Sequence, residues 1–514
     1  MASGVDFLGS YVRRVIDDEI DELFAQLPAL LLDGPKGVGK TATATQRCRS
    51  VRRLDVASER EIVEADPAII GRDPTPLLID EWQRVPGVFD AVRRLVDHDP
   101  TGGRFLLTGS ASTTQTHSGA GRITTLRMRP LCLSERRPPQ HGVSFHELLA
   151  GTAAIEGRIE LALADYTEEI VAGGFPAMRH LTDRPRDRQL DSYIDRIVDH
   201  DLPEAGFNVR RPATVLAWLR AYAAATATTT SWDKIRDAAT SGTDDKPAKT
   251  TTQPYVELLT ALRILDPLPA WIPSNNHLNA LTGTPKHHLA DPALAARLVR
   301  AGATRLLTGA SPSASIARDG TFLGALFESL AAQSIRTLAQ SCDARVSHLR
   351  TKGGRHEIDF IVETDDGVVA FEVKMSAAVN DTHVSHLHWL RNELGDDCID
   401  VGDGIEVIGV QHQPAVDDRA PGLDAGKRRV LLDAVHRRER QQARLPGGDE
   451  GDAVGGPAVG VVDPGEIGAG LERQEDVRLV AGDRAGQRRR VGPQHRIHLR
   501  RVPEADPALS LIHI

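Results

Sequence analysis

Residues 29 to 41 read ALLLDGPKGVGKT. A short apolar run passes directly into a glycine-rich loop and then into a lysine and a threonine, which restricts the chain to a strand, a phosphate-sized turn and a helix. The run Ala29 to Asp33 has the length of a buried strand, and the residues after it fit G-x-x-x-x-G-K-[ST] at Gly34, Gly39, Lys40 and Thr41. Gly34, Gly37 and Gly39 allow the backbone to curl so that its N–H groups and the following helix N-terminus face phosphate oxygens. Pro35, Lys36 and Val38 complete that cradle. Lys40 then reaches the outer phosphates, and Thr41 supplies a hydroxyl for magnesium. A chance glycine-rich turn is the competing explanation, and it gives no reason for a second half of the site to follow.

That second half is PLLIDEWQRVP, residues 76 to 86, an apolar strand ending in Asp80 and Glu81. Asp80 is placed to hold magnesium through water and Glu81 to polarise the attacking water, since positioning and charge neutralisation supply most phosphoryl-transfer catalysis. Two solvent-facing acids at a strand end would be the plain alternative. A third apolar run, RFLLTGS (104 to 110), ends in hydroxyls, so Thr108 and Ser110 are candidates for the polar side chain between the acids and the terminal phosphate. With VRRLDVAS (51 to 58) between the first two runs, at least four strands alternate with helical stretches, the pattern of a parallel α/β sheet.

The succession GPKGVGKT, LLIDEWQRVP, LLTGS, GRITTLRMRPLCLSE (121 to 135) and GGFP (173 to 176) resembles a prokaryotic family of AAA-type P-loop ATPases. In that family the C-terminal half is a domain of unknown function with a restriction-endonuclease-like core. Its most distinctive marks are DE-x-Q-x-x-P, here Asp80, Glu81, Gln83 and Pro86, and a GR pair followed by P-L-x-x-x-E; the resemblance covers roughly residues 5 to 410. It implies ATP and magnesium as cofactors and ATP hydrolysis as the activity. Sites of this type are often completed by a neighbouring subunit, so a homo-oligomer is implied as well. Arg122, in the GR pair, either senses the terminal phosphate or is a surface arginine opening a strand; no spacing rule chooses. Cys132 stands where the family often carries a small polar residue, and no chemistry attaches to it.

Residues 206 to 270 read as a helix (RPATVLAWLRAYAAAT), a short helix (SWDKIRDAAT), a turn (SGTDDKP), a helix from Lys249 through Leu262 and an apolar RILDPL strand, which together suggest a winged helix-turn-helix. Lys249, Thr250, Thr251 and Thr252 open the third helix as polar residues would on a DNA-reading helix. Asp237, Asp244 and Asp245 oppose phosphate contact, and winged helices also serve as protein-packing lids, so both uses stand.

Further on, Leu326, Leu330, Ile335 and Leu338 fall near helical spacing with Glu328 off that stripe. EIDFIVE sets Asp359 between Ile358 and Phe360, and VVAFEVK alternates Glu372 and Lys374 with Phe371 and Val373. Period two puts Glu372 and Lys374 on one face. An acid on one strand, E-x-K on the next and a helical glutamate upstream resemble the PD-(D/E)XK nuclease signature at Glu328, Asp359, Glu372 and Lys374. The resemblance implies carboxylates around magnesium and a lysine near the water and the scissile phosphate. A cross-strand salt-bridge lattice needs the same charges and no metal, and spacing does not separate the two.

The expected fold class is therefore α/β: an AAA-type P-loop NTPase domain (1–160), a helical lid (161–205), a winged-helix-like domain (206–275) and an α/β restriction-endonuclease-like domain (276–410). A chain of 514 residues exceeds one core, and its net charge of -9 gives no global basic footprint, so DNA as a partner must come from a local surface. Cys48, Cys132, Cys342 and Cys398 show no metal or disulfide spacing, and no apolar run is long enough to span a bilayer. A cytoplasmic protein without membrane contact is the expectation. After Trp389 there is no Phe, Tyr or Trp, and residues 411–514 read either as a disordered tail or as a frameshifted segment ending, at LSLIHI, in sequencing-adapter sequence. Two functions fit: an ATPase coupled to a DNA-acting, nuclease-like domain, or an ATP-dependent switch that binds DNA or a protein without cutting.

Overall fold

The computed structural model describes residues 11–109, 121–137, 143–153, 161–207, 209, 211–240, 249–272, 283–309, 321–375, 381–394 and 407–409. Strands of a parallel sheet covered by helices on both faces lose the usual apolar-polar alternation. That is the character of β1 (Ala29–Asp33), β3 (Leu77–Asp80) and β4 (Phe105–Gly109), every residue of which is buried. With β2 (Ser50–Arg53) and β5 (Thr124–Arg127) they form a five-stranded parallel sheet in the order β2-β3-β4-β1-β5. Leu31, Leu77, Ile79 and Leu107 point to one face, where Val88, Phe89, Val92 and Val96 of the helix Gly87–His98 meet them. Leu30, Leu32, Leu78, Leu106 and Leu126 point to the other, and their core is continuous with that of the later helices. The crossover order places β1, which carries the glycine-rich loop, beside β4 and one strand away from the acids of β3.

After the sheet come the helices Leu163–Ala172, Pro176–Arg179 and Asp183–Arg196, a π-helical turn Ile197–Asp201, and Leu202–Glu204. The helices Pro212–Ala224, Trp232–Ala239 and Lys249–Ala261 follow where the sequence puts them. The RILDPL strand does not form as a ladder. Leu265 and Leu268 make isolated antiparallel bridges to Leu289 and Lys286, and Ala270 bridges His348. Pro267 and Pro269 have no N–H to donate, so pairing cannot run on. Thr252, expected at the polar end of the third helix, is buried. The turn at 241–247 lies outside the described residues.

The last sheet has the order β6-β7-β8-β9, built from β6 (Arg345–Arg350), β7 (Glu357–Glu363), β8 (Val368–Lys374) and β9 (Val407–Gly409). β6, β7 and β8 are antiparallel, and β9 runs parallel to β8. Leu326, Leu330 and Ile335 of the helix Phe322–Gln340 share a core with Phe360, Val362, Phe371 and Val373. On the other face Val384, Leu387 and Leu390 of the helix Asp381–Leu394 pack on Leu349, Ile358, Ile361 and Trp271.

Carboxylates weld these parts together. Asp266 receives Arg336 at 2.8 Å, Arg129 at 3.0 Å and Arg127 at 3.8 Å, joining the segment after the third helix to β5, to the chain just beyond it and to the helix Phe322–Gln340. Arg263 pairs with Asp33, the last residue of β1, at 2.6 Å. No helix among the described residues is long and apolar enough to cross a membrane. The segment 411–514, with the tail expectation attached to it, lies outside the described residues, as does Cys398.

Candidate functional site

The loop after β1 has the shape its glycines permit. Gly37 and Gly39 sit at φ +82° and +99°, in the left-handed region that costs other residues free energy. A Cβ on Gly34 would stand 2.1 Å from the Met128 carbonyl oxygen, so no larger residue fits there without moving backbone. Val38 is fully buried beneath the loop, and its carbonyl accepts from Arg14 at 3.0 Å. Lys40 opens the helix Lys40–Thr45 and folds back to donate to the carbonyls of Gly34 (2.7 Å) and Pro35 (2.9 Å). Burial lowers its pKa to about 8, although the carboxylates of Glu81, Asp33 and Asp80 act in the opposite direction. An ammonium so desolvated gains from an arriving polyanion, which supplies the charge that the carbonyls cannot.

β3 brings its acids to the same place. Thr41 Oγ1 donates to Asp80 Oδ1 at 2.8 Å, and Thr108 Oγ1 donates to the same oxygen from β4. A hydroxyl at the helix start and a carboxylate at the end of β3 thus meet beside the glycine loop, oxygen donors of the kind a hydrated magnesium ion takes. Glu81 takes a left-handed conformation at φ +56°, and its carboxylate accepts from Gln83 Nε2 at 2.6 Å. Gln83 of the DE-x-Q pattern therefore fixes the orientation of Glu81, which the sequence alone did not reveal. Ser110 lies outside the described residues.

Helices from the middle of the chain cover the loop. Tyr193 donates to the Lys36 carbonyl at 3.0 Å, while Lys36 Nζ donates to Asp201 at 2.7 Å and to Glu204 at 3.1 Å. Arg84, just past the acid pair, meets Glu204 at 3.1 Å. Burial opposes the charge on Lys36, but those two acids outweigh it and raise its pKa. Lys36 is thereby a tether between the loop and the helices above it.

Arg122 is not brought to the loop. It precedes β5, whose Thr124 pairs beside Leu30 near the start of β1, and it meets Asp97 at 2.6 Å at the end of the sheet opposite the glycines. Glu135 of P-L-x-x-x-E is structural: it binds Arg14 at 2.9 Å and accepts the N–H groups of Val15 and Cys132, both at 2.8 Å. Burial pushes the Cys132 thiol up to about 12, leaving it inert. GGFP is likewise a packing element, since Gly174 N–H donates to the buried Asp291 at 2.7 Å and a Cβ on Gly173 would strike Asp291 at 2.7 Å.

The C-terminal acids do converge. The β7–β8 ladder ends at Phe360 opposite Phe371, and beyond it side chains take over: Asp359 accepts Val373 N–H at 3.0 Å and Glu372 accepts Asp359 N–H at 3.4 Å. From Glu372 onward β8 pairs with β9 instead. Lys374 binds Glu372 and lies 3.9 Å from Asp359. The sequence reading missed Lys286, whose ammonium sits among Glu328 (2.8 Å), Asp359 (3.0 Å) and Glu357 (3.3 Å) with 1% of the side chain exposed. Burial and the neighbouring Asp359 raise Glu328 to about 8 and Glu372 to about 7. Burial disfavours charge on Asp359 too, but Lys286 and Lys374 prevail and hold it below its ordinary value. Among the described residues no group of three or more His, Cys, Asp or Glu is arranged to hold a metal ion. Glu328 and Asp359 meet with Glu357 around the Lys286 ammonium, and Glu372 joins them through the Asp359 N–H and Lys374.

Residues 26–136 match the model of a family described as AAA domain. That match, over about a fifth of the chain, supports a P-loop NTPase fold for this segment. Residues 163–305 and 323–420 match two families described as domains of unknown function, DUF8612 and DUF4143. Two uncharacterized proteins, Mb2031c of Mycobacterium bovis and Rv2008c of Mycobacterium tuberculosis, are each 25% identical over 378 residues, 71% of this chain and 74% of theirs. Among solved structures, the Walker-type ATPase PABY2304 of Pyrococcus abyssi aligns with 55% of this chain and 94% of its own, at 16% identity and a TM-score of 0.32.

Proposed function

We propose that this chain binds ATP with magnesium and hydrolyses it, and that its nucleotide state sets the disposition of a nuclease-like C-terminal domain. The observation that carries the reading is the meeting of Thr41, Asp80 and Thr108 beside a lysine-bearing loop with no room for a Cβ at Gly34. In this reading the loop N–H groups and Lys40 hold the phosphates, Thr41 and Asp80 hold magnesium, and Glu81, oriented by Gln83, accepts the proton of the attacking water. Magnesium, when bound, neutralises charge between the outer phosphates. Arg122 would act only toward the site of a neighbouring subunit.

For the C-terminal domain, the order helix, three antiparallel strands, helix and a parallel fourth strand supports a restriction-endonuclease-like core. Lys286 among the acids favours the non-cleaving switch over the cutting enzyme. DNA is the proposed macromolecular partner. The test is phosphate release from ATP by the full chain, with supercoiled plasmid in the same reaction. ATP turnover without nicking supports the switch. Nicking that is lost in Asp359→Ala supports cleavage, and the absence of both binding and turnover of ATP would remove the proposal.

A further inference from the structure

We infer that Lys286 is a built-in cation standing in the place of a divalent metal, so that the C-terminal acid cluster takes up no magnesium while its ammonium is present and becomes a metal site when it is removed. This inference concerns the second site alone and stands whether or not the P-loop hydrolyses ATP.

The Lys286 ammonium donates to Glu328 at 2.8 Å and to Asp359 at 3.0 Å, and Glu357 completes the shell as an ion pair at 3.3 Å. Those are the separations of an ammonium and its carboxylates. Magnesium would need the same oxygens drawn in to about 2.1 Å and three-dimensional room for its waters, in a volume the ammonium fills. Charge points the same way. Glu328, Glu357, Asp359 and Glu372 face Lys286, Lys374 and Arg350, and the histidines beside Lys286 add nothing, because burial pushes His287 and His348 down to about 4 and His288 further. Without Lys286, the acids around it would keep only Lys374 and Arg350 as cations, and a divalent ion entering the vacated place would restore the positive charge nearest Glu328 and Asp359.

Lys286 is held in place from outside the strands that carry the acids. Its backbone exchanges hydrogen bonds with Leu268 at 2.8 and 2.9 Å; His287 N–H donates to Thr228 at 2.9 Å, and its carbonyl accepts from Ala227 at 2.8 Å. The ammonium is thus delivered by the segment that packs against the middle helices, 42 residues from Glu328 in sequence and 73 from Asp359. It is a fixed part of the fold and not a mobile surface lysine settling on a vacant site.

The experiment is Mn2+ titration of the full chain by electron paramagnetic resonance, without nucleotide, in an Asp80→Asn background that removes the P-loop carboxylate. Thermal midpoints in Mg2+ are measured alongside. With Lys286 intact the expected result is no Mn2+ uptake that depends on Asp359. In Lys286→Met about one Mn2+ per chain binds at millimolar metal, Mg2+ raises the midpoint, and adding Asp359→Asn abolishes both. Uptake that depends on Asp359 with Lys286 present overturns the inference. So does a folded Lys286→Met chain that binds no ion. If Lys286→Met does not fold in buffer, the more polar Lys286→Gln is used, and recovery of either variant by Mn2+ supports the inference. Failure of both to fold in millimolar Mn2+ counts against it, since the ion should replace the ammonium.

Discussion

Asp266→Asn should be among the most damaging single changes in this chain, although it keeps the shape of the side chain and touches neither site. The carboxylate is 15% exposed and faces Arg336 at 2.8 Å, Arg129 at 3.0 Å and Arg127 at 3.8 Å. Burial disfavours its charge, but the three guanidiniums overcome that and hold its pKa far below the ordinary carboxylate range. With charge centres about 4 Å apart and an effective dielectric constant of about 20, each arginine contributes roughly 4 kcal/mol of gross attraction. Desolvation takes back several kcal/mol per ion, so removing the shared anion should cost a net of about 3–5 kcal/mol. Because the folded pKa is depressed, this contribution is complete above the unfolded carboxyl value of about 3.9 and is lost as pH falls toward the folded one. Urea unfolding at neutral pH, followed by tryptophan fluorescence, should show a lower midpoint with an unchanged slope. Arg336→Met combined with Asp266→Asn should cost less than the two single changes added together, because charge and partner leave as a pair. A loss for Asp266→Asn within about 0.5 kcal/mol of zero, or strict additivity in the double variant, would refute the weld.

Two further outcomes follow from packing. Gly34→Ala places a Cβ 2.1 Å from the Met128 carbonyl oxygen, so it should cost about 1–3 kcal/mol of stability and weaken ATP binding, measured by calorimetric titration. Truncation after about residue 410 should leave the thermal midpoint and ATP turnover unchanged if that aromatic-free segment is the tail its composition suggests; a clear drop in midpoint would show that it packs.

The first site was legible because its chemistry is local. Gly34, Gly37, Gly39, Lys40 and Thr41 are contiguous, and Asp80 and Thr108 each end an apolar run, so strand order alone brings them together. What covers that site was not legible: Asp201 and Glu204 reach Lys36 from more than 160 residues away, and no spacing rule joins them. The C-terminal acids were found by period two along β7 and β8, whereas Lys286 sits in PKHHLA, where nothing in the sequence distinguishes it from a surface lysine. RILDPL looked like a strand by its apolar residues, but its prolines limit it to single bridges. Arg122 was a candidate by its place in a pattern, and the parallel direction of β5 carries it to the far end of the sheet.

The central claim is that the loop and its acids form an ATP-hydrolysing site in which Lys40 holds the nucleotide and Glu81 acts on water. Equilibrium binding of ATP with magnesium, and single-turnover hydrolysis, should be measured side by side for the unmodified chain, Lys40→Ala and Glu81→Gln. Lys40→Ala removes the buried ammonium that meets the phosphates in the ground state, so binding should vanish at millimolar ATP. Glu81→Gln removes a group needed only during reaction, so binding should persist while hydrolysis slows about 10²–10⁴-fold. Equal loss of binding in both variants, or unchanged hydrolysis in Glu81→Gln, would contradict the account.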